Sequence, residues 1–469
     1  MSDHDRPNAQ GLFGAVFARG AVEADDIAWL QAMLDTEAGL ARALERAGLA
    51  PAGSGEAVTA TARAANFDVG EIGERAALAG NPVPALARAL ARRVPQTAVS
   101  AVHRGAASQD ILDTAAMLLA SRAIGVILAD LATAADACAG LAEAHRATIM
   151  IGRTVLRQAL PVTFGLVAAG WLAGLDEARQ GLAAVASHRL AVQFGGGAGT
   201  LASLGDRGPQ VAALLAEELG LALPVLPWHT NRLRIIDLGT ALARVTAVLG
   251  KVARDVTLLA QEEIGEVREG TPAPGAGAAA TGPRRAGPAM PHAHNPVASV
   301  AILGCSRQVP GLLATLVAAG EQELQRAAGA WQAEWQPLTA LLRLTGSASS
   351  WAAELLPGLA VDGSRMAANL AATKGLPLAE HVASLLTGVL GVAQAHDLVA
   401  EASQRAVGAG LPLRDVLLAV PKLEDRLASA GISAEQIESA LEPAGYLGAA
   451  DAFVTAALEA HRALRLGSP

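Results

Sequence analysis

Residues 261–299 read QEEIGEVREGTPAPGAGAAATGPRRAGPAMPHAHNPVAS, and the rest of the chain is arranged around them. They open as the polar end of a helix and pass through a Gly/Pro/Ala tract that cannot hold regular structure. Order resumes at Met290-Pro291, before a long apolar helix beginning near Asn295-Pro296. A mobile loop anchored by helices at both ends, with no self-sufficient domain on either side, fits an active-site lid better than a linker.

Outward from this loop, the 469 residues are 52% apolar but only 3% aromatic, so the core must be built from Ala, Leu and Val. Ala and Leu favour close-packed helices, and β-branched runs are scarce, which predicts an all-α fold. A formal net charge of −8 argues against nucleic acid as a partner. Cys138 and Cys305 lie in apolar helical surroundings without metal-ligand spacing, as small buried hydrophobes in a reducing cytoplasm would. The opening MSDHDRPNAQ lacks the regions of a signal peptide. Arg122, Asp130 and Asp136 interrupt the apolar run from Ala115 to Leu141, which places it in a protein bundle and not a membrane.

Residues 11–24 look irregular. From Asp26 a helical period runs through Leu30, Met33, Leu34, Glu37, Leu40 and Leu44, until Gly48 and Pro51 end it. Gly80-Asn81-Pro82 precedes a helix from Val83 to about Arg93. Long apolar helices are expected over 111–141, after Pro161, and over 211–221, 240–266 and 296–330. Burying so much apolar surface calls for a bundle shared between subunits. The expected divisions are an N-terminal helical domain, 1–109, a central long-helix domain, 110–359, carrying the lid 270–294, and a C-terminal helical domain, 360–469.

Three segments carry chemistry. His103 to Thr114, HRGAASQDILDT, is a polar turn capped by Ser108 or Asp110 onto a helix whose N-terminal dipole favours an anion. Gly152 to Gly165, GRTVLRQALPVTFG, sets Arg153, Thr154, Arg157 and Gln158 beside a proline-bounded break, where they could hold carboxylates. The lid supplies Arg284, Arg285, His292, His294 and Asn295. Two other signals carry less. The Gly-rich run at 194–200 follows a helical stretch, so close helix approach or a tight turn explains it better than phosphate binding. His292 and His294 have no third ligand nearby, and no metal is expected.

Met290 to Pro296, MPHAHNP, resembles the M-P-x-K-x-N-P signature of the fumarase/aspartase superfamily. The His after Met-Pro and Val297 after Asn-Pro resemble its 3-carboxy-cis,cis-muconate cycloisomerase branch. The first segment is similar to the superfamily's H-x-G-x-T-S-x-D-x-x-D-T element, with Ala107 replacing the Thr. The second is similar to T-H-x-Q-x-A-x-P-x-T-x-G, with Val155 at the His and Arg157 at the Gln. Further matches include Trp228 to Arg232, Gly250 to Asp255, Gly265 to Glu269, Trp331 to Trp335 and Ala395 to Leu398. The resemblance covers about residues 11–406. Gly287 and Pro288 stand where the family has its two serines, and Ala293 stands at its carboxylate-binding lysine.

The resemblance implies a three-domain helical fold with its long bundle shared in a homotetramer, active sites built from several subunits, and a small polycarboxylate substrate without cofactor. It makes His103, Ser108, Thr154 and His294 the catalytic candidates, with the histidines ranked above Ser108 as proton donors. Candidate substrate contacts are Asn81, Arg104, Gln109, Arg153, Arg157, Gln158, Arg232, Lys251, Arg284, Arg285, Met290, His292 and Asn295. The expected reaction is lactonisation of 3-carboxy-cis,cis-muconate in aromatic catabolism. The alternatives are a superfamily lyase acting on a succinyl-type substrate, or a homologue without turnover.

Overall fold

The computed structural model describes residues 11–270, 295–419, 425, 428–429 and 431–467. In chain order come α1 (Asp26–Arg46), α2 (Ser54–Thr61), α3 (Val69–Ala79), α4 (Val83–Ala91), α5 (Ser108–Ala144), a hairpin of β1 (Ile149–Thr154) and β2 (Arg157–Thr163), α6 (Phe164–His188), α7 (Gly208–Leu219) and α8 (Leu233–Leu259). Then follow β3 (Val267–Glu269), α9 (Val297–Ser306), α10 (Val309–Ala318), α11 (Ala330–Leu355), β4 (Leu359–Val361), α12 (Gly363–Ala371), α13 (Ala379–Leu390), α14 (Val392–Ala409), α15 (Leu413–Ala419), α16 (Ala434–Ala440) and α17 (Ala450–Gly467). The fold is all-α, as the Ala/Leu-rich composition predicts; the named strands form only two short antiparallel pairs.

Backbone packing divides the chain into two compact units, one of residues 1–133, 177–253 and 297–354, the other of 134–176, 254–296 and 355–469. In the first, Asp25 caps α1 by accepting the Ala28 N–H at 2.9 Å. The predicted stripe of α1 is buried against α2 and α7. Leu34, Leu40 and Leu44 are wholly enclosed, each contributing about 2 kcal/mol by leaving water. Gly39 lets α7 approach, since a Cβ there would stand 2.7 Å from Leu219 Cδ2.

In the second unit, β1 and β2 pair from Ile149 opposite Thr163 to Thr154 opposite Arg157. The two residues between them, Val155 and Leu156, have φ of 52° and 60°, the geometry of a tight type I′ turn. β3 pairs with β4, and α13 to α16 enclose a separate apolar cluster around Leu386, Leu398, Leu413 and Ile437.

Two expected helices are corrected. The one placed at 296–330 divides at Arg307-Gln308 and stops at Ala318. Pro310, which has no N–H to give, sits in the first turn of α10, where none is needed. The helix placed at 240–266 runs from Leu233 to Leu259, which leaves Glu266 in the turn leading to β3. Both cysteines are buried free thiols; burial pushes both up, that of Cys305 to about 11 against the easing effect of Ser347.

Candidate active site

The first segment wraps the N-terminus of α5 in the first unit. His103 and Gly105 both adopt left-handed backbone, with φ of 55° and 82°. At Gly105 a Cβ would come within 2.7 Å of Leu204 Cδ1, so the turn requires glycine there. The Ala107 N–H donates to Asp110 Oδ2 at 2.8 Å, closing the turn onto the helix. Ser108 is half-buried at this helix start, and its hydroxyl has no hydrogen-bond partner among the described residues. Arg104 is exposed and donates to the Leu49 carbonyl.

Beneath the turn lies a buried polar network. Asp110 accepts the backbone N–H groups of Gly195, at 3.1 Å, and Gly196, at 2.8 Å, and His229 Nε2–H at 2.6 Å. Here the Gly-rich run performs close backbone approach: a Cβ on Gly195 would meet Pro227 at 2.7 Å and His229 at 2.8 Å. Gln109 is wholly buried and donates to Asp113 and to the His229 carbonyl. Arg326, between α10 and α11, donates to Gln109 Oε1 and to the carbonyls of Gly196 and Gly197, clamping the run from outside.

Arg232 occupies the centre of this network and is 2% exposed. It reaches Asp113 at 2.7 and 3.0 Å and Glu334 at 2.6 and 2.9 Å, while Trp331 Nε1–H also donates to Asp113. Burial pulls its guanidinium pKa down, yet the charges of Asp113 and Glu334 outweigh this and raise it. Burial pushes the Glu334 carboxyl up against the opposing pull of Arg232. The anion contact expected of Arg232 is therefore made inside the protein, where a guanidinium saturated by two carboxylates holds α5, α8 and α11 together.

His103 is tied to α1. Its Nδ1 lies 2.7 Å from Glu37 Oε1, and its backbone N–H donates to Glu37 Oε2 at 2.9 Å. Glu37 belongs to the predicted stripe of α1 and is 0% exposed. Burial pulls the imidazole down, but hydrogen bonding and charge from Glu37, with the charge of Asp110, raise it above its ordinary value of 6.5. The ring is thus biased toward the imidazolium, a cation and a proton donor beside a helix N-terminus.

The second segment lies in the other unit and forms the β1–β2 hairpin where the sequence reading expects a proline-bounded break. Asn-Gly or a similar turn signal is absent, so only the pairing itself reveals it. Arg153 forms a two-pronged ion pair with Glu266, at 2.9 and 2.8 Å, and Asn369 donates to the same carboxylate. Glu266 is 0% exposed, so this arginine braces the hairpin against the turn before β3. Thr154, Arg157 and Gln158 are exposed on the hairpin.

Among the remaining candidates, Asn81 accepts the Val83 N–H at 3.1 Å and shapes the start of α4, while Lys251 is exposed on α8. Asn295 is exposed just before α9. Arg284, Arg285, Met290, His292 and His294 lie outside the described residues. Among the described residues no group of three or more His, Cys, Asp or Glu is placed to hold a metal ion. Sequence patterning named Asp110 as a possible helix cap and placed His229 and Glu266 inside family matches, but it did not pick out Glu37 or Arg326 as partners of the site. Glu37 carried a signal, a carboxylate at a core position of an apolar stripe, and Arg326 carried none.

The chain matches a lyase family model over residues 28–311 and a model of the adenylosuccinate lyase C-terminus over 375–457. It is 43% identical over 461 residues to the 3-carboxy-cis,cis-muconate cycloisomerase of Pseudomonas aeruginosa, covering 97% of each chain. It is also 43% identical over 461 residues to the nitrosuccinate lyase of Streptomyces davaonensis, covering 96% of this chain and 94% of that one. Among solved structures, the 3-carboxy-cis,cis-muconate lactonizing enzyme from Pseudomonas putida superposes with a TM-score of 0.87 at 40% identity, over 97% of this chain and 99% of that one.

Proposed function

Since the chain belongs to the fumarase/aspartase lyase superfamily, in the branch of the 3-carboxy-cis,cis-muconate cycloisomerases, we propose that it lactonises 3-carboxy-cis,cis-muconate. One carboxylate oxygen adds to the neighbouring double bond, a C–O bond forms, and the π pair moves to the adjacent carbon as an enolate-like anion. A proton delivered to that carbon completes a carboxymuconolactone. The reaction is a β-elimination run backwards and needs cations or backbone donors for the carboxylates and one acid near carbon. No cofactor enters it.

The observation that carries this reading is the near full-length likeness to cycloisomerases at 41–43% identity. The site fits it chemically. The imidazolium of His103 and the Ser108 hydroxyl stand at the α5 N-terminus, where a developing anion is favoured. Arg104, Thr154, Arg157, Gln158, Lys251 and Asn295 are exposed and able to meet a polycarboxylate. In the lid, His294 is the second candidate acid, and Arg284, Arg285 and His292 the nearby cations or donors.

The active form we take to be a cytoplasmic homotetramer whose sites draw on more than one copy. Supporting this, the most apolar 18-residue window within 297–318 is only 28% buried in the single chain, against 72% for that of α5. Such a face in a bundle enzyme is covered by a second copy. The domain division 1–109, 110–359 and 360–469 belongs to the same reading.

The test is direct: purified protein is added to 3-carboxy-cis,cis-muconate and the diene absorbance followed. Its loss with appearance of the lactone in the NMR spectrum is expected; an unchanged spectrum would sink the assignment. The likeness to a nitrosuccinate lyase supports one second reading, elimination from a succinyl-type substrate. Fumarate release from nitrosuccinate, without lactonisation, would establish it.

A further inference from the structure

Glu37 is fully enclosed in α1, and among the described residues its carboxylate accepts only from His103, through the backbone N–H at 2.9 Å and through Nδ1 at 2.7 Å. No lysine or arginine pairs with it in the described structure. A buried carboxylate needs a countercharge, and among the described residues the imidazole is the group placed to provide one. With Nδ1–H committed to Glu37, the free end of the ring is Nε2, which has no hydrogen-bond partner among the described residues. The side chain keeps 25% exposure.

The backbone carries the same message. His103 is left-handed, with φ of 55°, a conformation that costs a non-glycine residue about 1 kcal/mol or more. That strain persists because both the main chain and the ring of His103 are tied to one carboxylate 66 residues earlier. The turn before α5 is thereby fixed with Nε2 as the uncommitted end of a partly exposed ring.

We propose that Glu37 is the positioning residue of the site, holding the His103 ring through Nδ1–H so that Nε2–H is the proton delivered to carbon. This rests on the lactonisation reading and deepens it by separating the group that donates from the buried group that aims it. Glu37 touches no substrate. Its effect reaches the reaction only through the ring.

Glu37→Gln keeps size and shape but removes the charge, and Glu37→Asp keeps the charge on a shorter arm. The His103 ring is titrated by long-range ¹H–¹⁵N NMR in each protein, alongside the pH dependence of kcat/KM for 3-carboxy-cis,cis-muconate. In Glu37→Gln the ring midpoint is expected to fall by about one pH unit, and the alkaline limb of kcat/KM by the same amount. Well above both midpoints this appears as roughly a ten-fold loss in kcat with KM little changed, partly restored in Glu37→Asp. Should Glu37→Gln fail to fold, Glu37→Asp carries the same two readouts, with smaller displacements of both expected. A ring midpoint that moves while the alkaline limb stays, or one that does not move, would overturn the proposal. Absence of turnover in the wild-type protein would instead overturn the lactonisation reading, and is seen before any variant is made.

Discussion

At Arg232 one side chain decides the integrity of the polar network beneath the turn. Replacing it by Met would strand Asp113 and Glu334, both at most 3% exposed, without a countercharge. The expected loss is about 3 kcal/mol or more in urea unfolding at neutral pH. His103 makes a pH-dependent contribution instead. Its folded pKa lies above the ordinary 6.5, so the stabilisation from the Glu37 pair is complete below that value and disappears as pH rises through the folded one. The stability difference between the wild type and His103→Asn should therefore be large below pH 6.5 and shrink as the pH is raised through the folded midpoint. A difference constant across that range would show that the ring is not charged in the fold. Glu37 was legible only as a member of the α1 stripe, because a core position does not reveal what a carboxylate there faces.

Among the elements, α5 shows how charges survive in a long apolar helix. Arg122 pairs with Asp35, and Asp130 is raised to about 6 by burial despite the nearby charge of Arg19. Asp136 meets His461 and Arg465 of α17. Both ring nitrogens of His461 face carboxylates, Asp176 at 2.8 Å and Asp136 at 3.1 Å, which fastens α17 to the second unit. His461→Ala leaves Asp176 buried and should cost about 2–3 kcal/mol, with faster amide exchange confined to α17. The β1–β2 turn behaves oppositely. Val155 and Leu156 are poor residues for left-handed backbone and are 95% and 75% exposed. Val155→Asn with Leu156→Gly should raise the thermal midpoint, worth about 1 kcal/mol or more. A lowered midpoint would show that the apolar tip is held by contacts the isolated chain lacks. Periodicity predicted the helices but not this hairpin, since its turn residues work against the conformation that they adopt.

For the whole molecule, the exposed apolar face of α9 and α10 sets the expectation. Val300 and Val317 are 56% and 53% exposed in the single chain, on helices of almost continuous apolar sequence. Val300→Glu combined with Val317→Glu should lower the oligomer mass measured by analytical ultracentrifugation and abolish lactonisation together with it, because the proposed sites need more than one copy. A mass unchanged by both charges would remove this face from the interface.

By itself the sequence determined the helical class, the burial of the α1 stripe and the likeness to the lyase superfamily. These follow from local composition, period and motif, which act within a few turns of the chain. Only the tertiary structure decided that Arg232 and Arg153 spend their charge on buried carboxylates, that Glu37 faces His103 and that the second segment is a hairpin. Each depends on partners between 66 and 119 residues away, or on a turn whose residues oppose its backbone. An ionisable side chain has no fixed role until packing sets which opposite charge it meets and how much water remains between them.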